Sequence, residues 1–135
     1  MRNRLMGIFL SLFLFSCVVF AVPSEIKPST TTTNGDVGVT WYTLSTAGHF
    51  YNASVDGSQL LIVNTTTTLT AKVQNITILA GEYWRGALGD KLFQLPTNHT
   101  YVLGPFESSW FKQTNGTVRI STNSTRGHIA LIQMP

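Results

Sequence analysis

Asn115-Gly116-Thr117-Val118-Arg119-Ile120-Ser121 decides the fold. Asn-Gly is the strongest short turn signal, because both residues accept the left-handed backbone that a tight hairpin turn requires. The residues after it alternate polar and apolar, the period of two that sends every second side chain to one face of a sheet. Working outward, the same texture of Val, Ile, Leu, Thr and aromatic residues predicts strands over 37–44, 59–64, 67–73, 76–80, 91–95, 100–106, 117–121 and 127–133. Asn, Gly, Pro and Ser separate them, as at Asp56-Gly57. Residues 81–90, GEYWRGALGD, are the least strand-like and read as an inserted loop. No helical stripe follows the leader, so the expected fold is all-β: a single antiparallel immunoglobulin-like β-sandwich of about seven or eight short strands over residues 37–135.

The N-terminus is of another kind. Met1-Arg2-Asn3-Arg4 precedes eighteen residues without a charge, 5–22, and then Pro23, Ser24 and Glu25. A basic start, an apolar run and small residues at its exit describe an export signal over 1–21, with Val19 and Ala21 suited to the −3 and −1 positions of cleavage. The alternative is an uncleaved anchor, since eighteen helical residues reach roughly 27 Å, just short of the hydrocarbon core. Residues 22–36, VPSEIKPSTTTTNGD, carry two prolines and a Thr run without apolar periodicity, and read as a linker or extended arm. Cys17 is the only cysteine and lies in the leader, so no internal disulfide is available to the mature chain.

At 135 residues the chain has room for one domain, which excludes a multidomain enzyme. The net charge is +3, but Arg2 and Arg4 belong to the leader; beyond it seven Lys/Arg oppose six Asp/Glu, leaving +1. Without a basic patch there is no electrostatic footprint for nucleic acid.

The most informative motif is the N-glycosylation sequon, Asn-x-Ser/Thr. Six occur, at Asn52, Asn64, Asn75, Asn98, Asn115 and Asn123, none with proline in the middle. Of the seven asparagines beyond the leader only Asn34 lies outside one, where composition alone would give about two of seven. An export signal and a sequon array support each other, because the acceptor sites must meet the glycosylation machinery outside the cytosol. Asn52, Asn98, Asn115 and Asn123 fall in expected turns or strand ends, whereas Asn64 and Asn75 lie close to strands and need a solvent-facing position.

Catalytic chemistry is thinly supported. The carboxylates Glu25, Asp36, Asp56, Glu82, Asp90 and Glu107 are scattered, and no spacing pairs two of them for acid–base work. His49, His99 and His128 stand alone, so neither a metal site nor a cofactor is expected. There is no Gly-x-Ser-x-Gly elbow and no phosphate loop. The expectation is a protein that is not an enzyme. Adjacent aromatics at Trp41-Tyr42, Phe50-Tyr51, Tyr83-Trp84 and Trp110-Phe111 would place one ring in the core and one outside. Tyr83 and Trp84, with Arg85 beside them, are the candidate ligand-binding residues, a sugar-stacking platform in the inserted loop.

The order of Asp56-Gly57-Ser58-Gln59-Leu60-Leu61-Ile62-Val63-Asn64, Thr68-Leu69-Thr70-Ala71-Lys72-Val73, Leu95-Pro96-Thr97-Asn98-His99-Thr100-Tyr101-Val102-Leu103-Gly104-Pro105-Phe106 and the ending from Gly116 to Ile132 resembles small β-sandwich proteins encoded among the structural genes of tailed phages and related viruses, commonly regarded as capsid-decoration-like. The likeness spans about residues 55–133, and Gly104-Pro105-Phe106 is its one distinctive string. It implies a β-sandwich with a structural role. The leader, the sequon array and the GEYWRGALGD insertion depart from that pattern. The expectation is therefore an exported, N-glycosylated surface or structural protein of a cell envelope, filament or virion. Its expected partners are further copies or other surface proteins, with contact to a membrane only through residues 5–22 if the leader stays. The alternative is a carbohydrate-binding or adhesion module. One route to assembly is strand donation by residues 22–45.

Overall fold

The computed structural model describes residues 21–30, 38–54, 56–66 and 73–135. Residues 1–20 of the leader, residues 31–36 of the arm, residue 37 of the strand expected over 37–44, residue 55 and nearly all of the strand expected over 67–73 lie outside these.

Two mixed sheets face each other. The first runs in the order β1 (Ser24–Glu25), β4 (His49–Asn52), β9 (Thr117–Thr122), β6 (Val73–Ile78), β7 (Lys91–Pro96). The second holds β2 (Pro28–Thr30), β10 (His128–Gln133), β5 (Gln59–Asn64) and β8 (Thr100–Leu103), with β3 (Tyr42–Thr43) also paired to β10. Alternation does what the sequence leads one to expect. In β5, Gln59, Leu61 and Val63 are buried and their neighbours are not; in β6, Gln74, Ile76 and Ile78 point inward. With Tyr51, Val118, Ile120, Ile129 and Leu131 they fill the space between the sheets.

The all-β reading holds, but the sheets are not purely antiparallel. β1 pairs with β4 in parallel, and β2 pairs with β10 in parallel. The cause is the segment read as a linker or arm. It runs along the edge of the first sheet and crosses to the edge of the second. Between the two contacts Ile26 is fully buried in the core, its N–H bonded to the Phe50 carbonyl at 2.8 Å. The sandwich thus begins at Ser24 rather than at residue 37. Of the strand expected over 37–44 only Tyr42–Thr43 forms among the described residues, and His49–Asn52 is a strand where none is expected.

Strand register assigns the described strand ends to two ends of the sandwich. Val73 faces Pro96 and Ile78 faces Lys91; Ile76 faces Thr122; Asn52 faces Thr117; Asn64 faces both Thr100 and His128. One end therefore carries Asn64, Val73, Pro96, Thr100, Asn123 and His128. The other carries Asn52, Ile78, Lys91, Leu103 and Thr117. The loop 81–90 lies at this second end and contains a 3₁₀ turn, Trp84–Leu88, packed beside a short helix α1, Ser108–Phe111.

Candidate functional site

The inserted loop is built on close backbone approach. A Cβ on Gly81 would lie 2.3 Å from the Lys112 carbonyl oxygen, and one on Gly86 would lie 2.0 Å from that of Gly81, so neither position admits a side chain. Backbone bonds tie the loop to α1, with Gly81 N–H to the Trp110 carbonyl at 2.7 Å and Glu82 N–H to that of Lys112 at 3.2 Å. The Trp110 indole N–H donates to the Gly89 carbonyl at 2.8 Å. Two carboxylates complete the clamp. Asp56 accepts the Ser108 N–H at 2.8 Å, capping α1 from a different loop, and Glu82 accepts the Thr114 N–H at 2.8 Å. Hydrogen bonds from the Ser108 side chain and backbone hold the Asp56 carboxyl below its ordinary range, and those from Thr114 do the same for Glu82.

This frame pushes the three candidate ligand residues outward. Trp84 is 80% exposed, Tyr83 is exposed, and Leu88 across the turn is 61% exposed. Arg85 forms an ion pair with Glu107 and its guanidinium sits 5.4 Å from the centre of the Trp84 ring. Arg85 is thus engaged twice, with a carboxylate and with one face of the indole. Below the turn, Phe93, Pro105, Phe106, Trp110 and Phe111 line a recess of about 250 Å³ with Lys91 and Glu107 beside it. Tyr83 borders a recess of about 180 Å³ with Ser108, Ser109 and Lys112 of α1 and its C-terminal end, whereas Trp84 and Leu88 stand out in solvent. Leu88, which the sequence reading passes over, belongs to the same surface as Trp84; its placement depends on the 3₁₀ geometry of the turn.

The six sequon asparagines all reach the surface. Asn52, Asn98, Asn115 and Asn123 are exposed, and Asn64 and Asn75 are half-buried. Asn75 sits inside β6, between the inward-facing Gln74 and Ile76, and so faces out of the sheet. Its N–H is held by the Asn123 side-chain oxygen at 2.9 Å. The Asn64 amide donates to the Thr100 hydroxyl at 2.9 Å, and the Asn52 amide to the Glu25 carboxylate at 2.9 Å. Asn98 takes a positive φ of 68°, a conformation that asparagine tolerates better than most residues. Four sequons, at Asn64, Asn75, Asn98 and Asn123, gather at the end opposite the Trp84 turn. Asn52 and Asn115 lie at the near end, on the β4–β9 side.

The three histidines do not meet. His49 is buried in β4, His99 lies in the β7–β8 turn and His128 begins β10. Among the described residues no three of His, Cys, Asp and Glu come together as metal ligands, and no helix is long and apolar enough to cross a membrane. No family model, curated protein or solved structure matches the chain.

Proposed function

We propose that this chain is an exported, N-glycosylated, non-enzymatic component of a surface, whether of a cell envelope, a filament or a virion. The observation that carries this reading is the placement of the sequons. Interior positions alternate along β5 and β6, yet none of the six asparagines is buried, and the one in mid-strand, Asn75, is on the outward face. A bulky glycan is tolerated only there. The two facing sheets agree with the structural role implied by the decoration-like sequence pattern, and the antiparallel pairs β5–β10, β5–β8, β6–β9 and β4–β9 support reading the sandwich as immunoglobulin-like. Self-association belongs to the proposal: β8 ends its sheet with Val102 exposed, an apolar edge of the kind that recruits another strand.

Peptide mapping of the protein from its own source tests the proposal. Glycan mass on peptides containing Asn52, Asn64, Asn75, Asn98, Asn115 and Asn123 is the expected result. Unmodified asparagine at all six would remove the reading.

A further inference from the structure

Among the described residues the exposed large apolar side chains include Trp41 and Val73 at the sequon-rich end and Val102 on β8, but half of them, with the most exposed aromatic, lie together. Trp84, Leu88, Tyr83 and Leu92 all belong to the loop 81–90 or to the strand that leaves it. Val22, 83% exposed, and Pro23 border a recess with Phe50, Arg119 and, from this same loop, Glu82. Four of the six sequons mark the far end. We propose that the end bearing Trp84 and Leu88 is a foot that docks on a lipid surface, with the sequon-rich end held away from it. The inference rests on the export reading given above.

The chemistry of the turn favours lipid over sugar. A sugar platform presents a free aromatic face together with uncommitted donors and acceptors in a concave site. At Trp84 itself Arg85 is paired with Glu107 and lies against one face of the indole, Gly86, Ala87 and Leu88 carry no polar side-chain atom, and the polar recess of Ser108, Ser109 and Lys112 is bordered by Tyr83 and not by Trp84. An indole and a leucine on a projecting turn fit the headgroup–acyl boundary, where tryptophan places its ring in the apolar layer and its N–H among headgroups. Gly81, Gly86 and the bonds to α1 hold the turn in shape beforehand, so docking needs little ordering.

The molecule has its own spectroscopic controls. Trp41 lies at the opposite end, next to Asn64 and His128, and Trp110 is half-buried with its N–H on Gly89. The test mixes the purified protein with phosphatidylcholine vesicles whose acyl chains are brominated near the headgroup, and reads tryptophan emission for the wild type, Trp84→Phe and Trp41→Phe. Quenching is expected in the wild type and in Trp41→Phe, and its loss in Trp84→Phe. Leu88→Glu, on an exposed side chain that the core does not need, is expected to reduce the vesicle-bound fraction about tenfold. Emission unchanged by the brominated lipid, or quenched equally in Trp84→Phe, would overturn the foot. So would a Trp84 emission shift with soluble oligosaccharides and none with vesicles. Glycan occupancy is read separately by mass, so failure of the foot and failure of the export reading are distinguishable.

Discussion

His49 shows how one polar side chain is made to fit a core. It is 1% exposed, with Nε2 accepting the Ser45 N–H at 3.2 Å and Nδ1 2.7 Å from the Ser24 hydroxyl. An Nε2 that accepts a hydrogen bond carries no proton, so the ring is neutral, and burial lowers its pKa below the ordinary 6.5. The sign of the linkage follows. The unfolded chain takes up a proton at this ring before the folded one does, so stability is complete above about pH 6.5 and declines as pH falls from there toward the lowered folded value. Thermal melting between pH 7.5 and 5 is expected to show a falling midpoint in the wild type and a flatter profile in His49→Gln. Asp56 and Glu82, both held below their ordinary values, add a separate loss of stability only in more acid solution. Gln74 is the opposite case. It is fully buried, its amide donates to the Arg126 carbonyl at 3.2 Å, and its Oε1 has no partner among the described residues. Gln74→Met, similar in volume, removes that acceptor together with the bond to Arg126, two opposing effects of about 1 kcal/mol each, and is expected to leave stability nearly unchanged in urea unfolding, whereas Gln74→Ala also opens a cavity and is expected to destabilise. Neither burial is legible in sequence, because His and Gln in a strand read as outward residues until a neighbouring segment covers them.

Among elements, the strands with their own apolar alternation were the legible ones. β5 over 59–64 and β9, one residue longer than expected at Thr122, follow from their side chains alone, and β7 and β10 shift by one residue at an end. The arm escapes such reading because Pro23, Pro28 and a Thr run provide no period, and its pairing depends on edges made by β4 and β10 far along the chain. Only Ile26 marks it, and one isoleucine is no pattern. Its burial gives a direct check: Ile26→Ala is expected to destabilise the domain by about 2–5 kcal/mol in chemical denaturation, whereas an arm free in solution would leave stability unchanged. β4 was missed for a related reason, since His49-Phe50-Tyr51-Asn52 hides its alternation behind a buried histidine and two adjacent aromatics. The loop 81–90 reads as an insertion from its composition, but its internal geometry rests on the contacts at Gly81 and Gly86, which have no sequence signal. Gly86→Ala is expected to break the 3₁₀ turn, because the added methyl meets the Gly81 carbonyl, and to change near-ultraviolet dichroism from Trp84 and Trp110 while far-ultraviolet β signal persists.

Across the whole molecule the two ends differ in chemistry. One gathers four sequons; the other gathers projecting apolar side chains over a clamp of Asp56, Glu82 and Trp110. The sequence names the sequons, but their distribution is a property of register, which brings Asn75 beside Asn123 and Asn64 beside Thr100 across long separations. Under the proposed glycosylation, a body with a net charge of +1 beyond residue 21 would carry sugars mostly at the end opposite the Trp84 turn. The measurement that tests this most directly is the intact mass of the protein purified from its native source, before and after enzymatic removal of N-linked glycans. The account predicts a mass well above that of the polypeptide, falling in several glycan-sized steps to the bare chain on treatment. A single mass equal to the unmodified polypeptide, unchanged by treatment, would contradict it.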